Sequence, residues 1–284
     1  MAQVVPPNSG KLASSILQTP PPLDNTLGAL LIGTLCTSVL CGLSVHQTYR
    51  YFRIYGSDPQ LLKVMVVTLC VLDAAHEMMA IHLSYFYLIT NYFNPIRLLS
   101  GVWSLRLIVT VTGLTATITH LFFARRVFIL SGGQRFYPFC AVILIVAELG
   151  FCITATVAIF VDVTFARFQE HSSWIIYTAL GLRVVTDFIL TISLIFFLQR
   201  SRTGFKSTDT MIDVLILYAI NTGLVTRQVP VCACVSMAIV LQLPSISLFS
   251  LAAAITAFVL PDTLIYIAIY IVSSNMYSSS VIAV

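Results

Sequence analysis

Residues 137–161 read YPFCAVILIVAELGFCITATVAIFV, a run of 25 residues whose one charged member is Glu148. At ~1.5 Å per residue it is long enough as a helix to cross the roughly 30 Å hydrocarbon core of a bilayer. The same pattern recurs on both sides. It predicts helices over about 26–49, 62–90, 100–124 and 173–199 besides this one. Turn and charge signals separate them: Gly56-Ser57-Asp58-Pro59, Asn91 to Pro95, Ser131-Gly132-Gly133, Arg167 to Ser173 and Arg200 to Lys206.

Composition agrees with these runs. Of 284 residues, 58% are hydrophobic and only 9% charged, and the mean hydropathy is +0.95. So few charges cannot cover a soluble fold of this size, which excludes a cytosolic enzyme, a nucleic-acid binder and a disordered chain. The fold class is all-α, a polytopic transmembrane helix bundle, with the lipid bilayer as its first partner. The net charge of +4 is scattered over short loops and makes no nucleic-acid patch. Residues 1–24, with Pro6, Pro7, Pro20, Pro21 and Pro22, read as a flexible tail, and 25–284 as one transmembrane domain. Cys36, Cys41, Cys70, Cys140, Cys152, Cys232 and Cys234 lack metal or disulfide spacing and read as small apolar residues.

Beyond residue 207 the pattern is irregular. Apolar runs at 214–226, 231–243, 245–260 and 263–272 are broken by Arg227 to Pro230, Pro244 and Pro261-Asp262. The first three are short for a span. Seven helices are expected, or eight (or a re-entrant segment) if 226–249 belongs to the fold. Lys and Arg set the orientation. Arg50, Arg53, Lys63, Arg125, Arg126, Arg135, Arg200, Arg202 and Lys206 share one side, against Lys11, Arg97 and Arg167 on the other, with Arg227 if it is exposed there. The richer side is cytoplasmic, so the N-terminus is expected outside, with the plasma membrane as the default location.

The chain resembles a fungal family of seven-helix membrane proteins, abundant in mushroom-forming fungi, that carry the domain of unknown function 6534. The resemblance rests on Leu23 to Ala29, Gln47 to Phe52, Val71-Leu72-Asp73 with His76 and His82, Asn91 to Pro95, Val102 to Leu105 and Phe122 to Arg126. The strongest segments are Arg200-Ser201-Arg202-Thr203-Gly204-Phe205, Thr208-Asp209 and Asn221 to Leu224. The named domain corresponds to about 175–265. It implies topology and no activity. In the family, the segment like 221–224 runs straight into one like 251–262, whereas here about 25 residues intervene. Removing 227–249 would join 210–226 to 250–260 as one sixth helix, with 262–284 as the seventh. A retained intron is one cause to expect. Glu77 also departs from the family, which looks apolar at that position.

Charged groups inside a bilayer are costly and therefore face the bundle interior. Asp73, His76 and Glu77 fall at i, i+3 and i+4 on helix 2, and Arg183 and Asp187 at i and i+4 on helix 5. With Glu148 they fall near the midplane and form the candidate site, either packing glue or a ligand or proton site. His82 and Arg106 make a second candidate pair in the outer third. His46 and His120 fall near the inner face. No catalytic residue, cofactor or metal is expected. His76-Glu77 opens HExxH, but Ala80 stands where the second histidine would be. Residues 245–284 hold no Lys for a retinal Schiff base, and no phosphate-binding glycine loop or GxSxG occurs. The readings left open are a receptor- or sensor-like bundle and a small-molecule or proton-linked transporter, with protein partner, ligand and oligomeric state unassigned.

Overall fold

A computed structural model describes residues 26–56, 58–91, 102–131, 136–161, 173–200, 246–260 and 263–282. These residues form seven helices and no strand: α1 (Leu27–Ile54), α2 (Gln60–Tyr85), α3 (Trp103–Leu130), α4 (Phe136–Val161), α5 (Ser173–Arg200), α6 (Ile246–Val259) and α7 (Ile265–Ile282). Six are long and apolar enough to span a bilayer, and α6 is the short one. The tail 1–24 and the runs 214–226 and 231–243 lie outside the described residues. So does most of the expected insertion at 226–249. Its last four residues are an exception: they open α6, with Ile246 buried and Ser247 Oγ 3.2 Å from Thr191 Oγ1 on α5. That end of the segment is therefore part of the packed bundle.

α1 and α3 run further than expected, to Ile54 and Leu130. Arg50, Arg53, Arg125 and Arg126 consequently sit on helix ends and not in loops. Their long apolar stems let the charge reach the headgroup layer while the backbone stays helical. Between α1 and α2 the chain turns tightly. Tyr51 donates its hydroxyl to Asp58 Oδ2 at 3.1 Å, Lys63 Nζ reaches the Gly56 carbonyl at 2.6 Å, and Pro59 opens α2. At its other end α2 loosens into a π-helical turn, Phe86–Thr90, closed by Asn91, whose backbone N–H and side-chain amide both donate to the Phe86 carbonyl at 3.1 Å.

α3 is the hub, packed against α2, α4, α5 and α7, while α1 packs mainly on α7 and α2. Paired residues give the directions. Thr34 with Ser84 and Ser38 with Glu77 make α1 and α2 antiparallel. Thr37 with Asn275 and Ser44 with Ser279 make α1 and α7 parallel. Asp187 with Ser250 and Thr191 with Ser247 make α5 and α6 antiparallel. Close approach needs small residues: a Cβ on Gly33 would lie 3.0 Å from Ala268 Cβ and 3.1 Å from its Cα.

The bundle is apolar outside and polar inside. Ile32, Val39, Val64, Met78, Ile129, Val146 and Val161 are exposed where lipid would lie, whereas Asp73, His76, His120, Arg183, Asp187 and a run of α7 serines are buried. Hydroxyls in this interior are hidden locally. Thr34, Thr48, Thr115, Thr117, Thr156 and Thr186 each donate to the carbonyl four residues back at 2.8–3.0 Å. Without water, such bonds are how a spanning helix satisfies its polar side chains.

Candidate functional site

One network joins α3 to α7. His120, 1% exposed, places Nδ1 3.0 Å from Glu148 Oε2 on α4 and Nε2 2.9 Å from Asp187 Oδ1 on α5. An imidazole can donate to two carboxylates only as imidazolium; otherwise one carboxyl must carry the proton. Either way the three groups share it. Asp187 Oδ2 accepts from Ser250 Oγ on α6 at 2.6 Å and from the Tyr277 hydroxyl on α7. Ser250 Oγ and the Tyr277 hydroxyl are themselves 2.8 Å apart. Arg183, one turn before Asp187, donates from Nε to the Tyr277 hydroxyl at 3.2 Å, with its guanidinium 4.4 Å from the centre of that ring and 5.2 Å from that of Tyr270. Thus Arg183 and Asp187 meet through Tyr277, and the ion pairs of Asp187 and Glu148 are with His120.

The other half of the expected midplane cluster lies on the α1–α2–α7 seam. Ser278 donates to Asp73 Oδ2, and Ser38 Oγ donates to Glu77 Oε1 at 2.5 Å. His76 is fully buried with neither ring nitrogen hydrogen-bonded, and lies within electrostatic range of Arg183. The six residues therefore divide into two neighbouring groups, Glu148, Arg183 and Asp187 in one and Asp73, His76 and Glu77 in the other. Adjacent residues on α7, Tyr277 and Ser278, serve one group each. Of the second candidate pair, His82 Nδ1 is 3.1 Å from Ser104 Oγ with its ring 4.8 Å from that of Trp103, and the Arg106 guanidinium lies over the Phe160 ring at 5.3 Å.

Three members of the α3–α7 network were not singled out by their sequence positions. A helix 3 that stops at 124 puts His120 near the inner face. Its extension to Leu130 moves the helix midpoint from about residue 112 to about residue 117, within ~5 Å of His120 along the axis. Ser250 and Tyr277 carry no charge and lie in apolar runs. The one available signal was the polar density of 273–280, where five serines and Asn275 stand in a span-length helix.

Among the described residues no group of three His, Cys, Asp or Glu is arranged to hold a metal ion. Fold and network together define a multi-pass membrane helical bundle with an ionisable interior. A family model described as "Family of unknown function (DUF6534)" matches residues 183–284, the stretch that contains Arg183, Asp187, Ser250 and Tyr277. No curated protein and no solved structure matches the chain.

Proposed function

We propose that the protein is a receptor- or sensor-like seven-span bundle in which the proton shared by His120, Glu148 and Asp187 locks α3, α4 and α5 into one packing. The observation that carries this reading is the double contact of His120, at 3.0 and 2.9 Å, with its extension through Asp187 to Ser250 and Tyr277. Five helices meet at groups whose charges balance only in this arrangement. A ligand or proton that disturbs the balance gives the bundle a reason to repack, as charge-based switches do. Proton-linked transport is the second reading, favoured by the same row of carboxylate, imidazole and carboxylate. The parallel course of α1 and α7 supports seven crossings. The nine basic residues of one side support an outside N-terminus, with the plasma membrane and the fungal origin implied by the resemblance as parts of the same proposal.

Two measurements separate the readings. Spin labels at Phe128 on α3 and Phe196 on α5, both exposed near the same end, report the packing by double electron–electron resonance. The switch reading expects a second distance population when His120→Gln breaks the lock; an unchanged single distance overturns it. Proteoliposomes under a pH gradient should show no proton flux if the bundle is a sensor, whereas flux abolished by Asp187→Asn establishes transport. An epitope tag at residue 2 should be accessible on intact cells.

A further inference from the structure

Among the described residues, no cationic group bonds the two carboxylates that the α1–α2–α7 seam buries. Asp73 and Glu77, one turn apart on α2, are 1% and 8% exposed. The groups that donate to them are hydroxyls, Ser278 to Asp73 and Ser38 to Glu77. The buried cationic groups of the α3–α7 network, Arg183 and His120, are already matched there by Asp187 and Glu148. His76 is no substitute. Neither of its ring nitrogens has a hydrogen-bond partner, so it bonds neither carboxylate. Cys41 on α1, which lies near both carboxylates, has no cationic form to offer them.

A second observation comes from α7. Asn275 is fully buried, and its Nδ2 donates to the Thr37 carbonyl at 3.0 Å, which fixes the carboxamide. Its Oδ1 is left without a donor. Thr37 precedes Ser38, the partner of Glu77. One turn beyond Asn275 is Ser278, the partner of Asp73, whose Oγ also lies 3.1 Å from the Asn275 carbonyl. Asn275 thus bonds the α1 residue beside Glu77's partner and stands one turn before Asp73's partner on α7. Glu77 Oε2 also has no partner, and Asp73 Oδ1 makes no bond of regular geometry, although Ser44 lies close. The seam thus holds buried acceptor oxygens that lack donors among the described residues, from two carboxylates and one carboxamide.

Acceptor oxygens around excess negative charge call for a hard cation. Calcium takes six to eight oxygens and magnesium a near-octahedral shell that retains water, more than this seam of side chains offers. We infer that the α1–α2–α7 seam binds one hard monovalent cation of the sodium type, held by Asp73, Glu77, the Asn275 carboxamide oxygen and the Ser278 hydroxyl. The cation would tie α2 to α1 and α7, and it acts independently of the His120 lock.

The test uses the full chain purified in detergent micelles. Thermal unfolding is followed in sodium chloride and in N-methylglucamine chloride at equal ionic strength. Sodium should raise Tm saturably, by on the order of a few degrees, as a ligand that binds only the folded state does. Asn275→Ala and Asp73→Asn should each remove that increment, while His120→Gln should keep it. Equal Tm in the two salts at every concentration overturns the proposal, as does an undiminished sodium increment in both seam variants. Where those variants fail to fold, equilibrium binding of radioactive sodium to the unaltered protein decides. Saturable binding near one ion per chain, displaced by sodium but not by N-methylglucamine, supports the site. No saturable binding shows that protons neutralise Asp73 and Glu77 and removes it.

Discussion

His120→Gln is the substitution that most directly measures what holds α3, α4 and α5 together. Glutamine is close in length to histidine but has a donor and an acceptor at its end, so one of the two carboxylates must face an oxygen. In the native interior, His120 and Arg183 balance Glu148 and Asp187, and all four are at most 5% exposed. The variant leaves two negative groups against one positive. Removing one partner of a buried ion pair costs about 3–5 kcal/mol. Ordinary polar contacts between membrane helices average only about 0.6 kcal/mol and reach about 1.7. The two bonds of His120, if merely neutral contacts, therefore sum to roughly 1–3 kcal/mol at most. Unfolding in mixed micelles of rising dodecyl sulfate content separates these ranges, and a loss of about 3–5 kcal/mol is expected. The double variant His120→Gln with Glu148→Gln leaves Arg183 facing Asp187, one charge against one. It should be more stable than His120→Gln alone. A single-variant loss below about 3 kcal/mol, within the reach of ordinary membrane contacts, or a double variant that loses the sum of both singles, would refute the charge-balance argument.

Tyr277→Phe removes the hydroxyl through which Arg183 and Asp187 meet, and should cost about 1–3 kcal/mol in the same titration, as for a buried charged group left without a partner. Arg183→Leu or Asp187→Leu alone should reduce folded protein more than the double change, because each single unbalances the network and the pair does not; detergent-stable yield by size-exclusion fluorescence measures this. Gly33→Ala should destabilise by about 1–3 kcal/mol despite the better helix propensity of alanine, because the new Cβ meets the Ala268 Cα at 3.1 Å as well as its Cβ; adding Ala268→Gly should recover only part of the loss. Sequencing of the messenger RNA should find transcripts that join the codons near Thr226 to those near Ile246, where α6 opens. Peptides from 227–245 recovered from membranes would instead keep the segment in the protein.

What could be read in advance follows from what the bilayer punishes. A span of 25 apolar residues with one charge has no other stable setting, so the long helices were legible with an uncertainty of a few residues at their ends. The same logic found Asp73, Glu77, Glu148, Arg183 and Asp187, because a charge in an apolar run is expensive enough to stand out. It could rank them by depth only as well as the helix ends were known. The six extra residues at the end of α3 separate a peripheral His120 from one that bridges two carboxylates. Which faces meet was not readable either. Asp73 and Asp187 both look inward, yet α7 stands between their partners and turns Ser278 to one and Tyr277 to the other. Hydroxyls are the harder case, since a serine in a membrane helix can conceal its polarity by bonding back to its own helix. Ser250 has this option, its Oγ 3.0 Å from the Ile246 carbonyl, yet it lies closer to Asp187, at 2.6 Å. A residue that costs so little in lipid leaves no mark on the hydropathy of its segment. Its role appears only when the charge it serves comes within bonding distance from another helix.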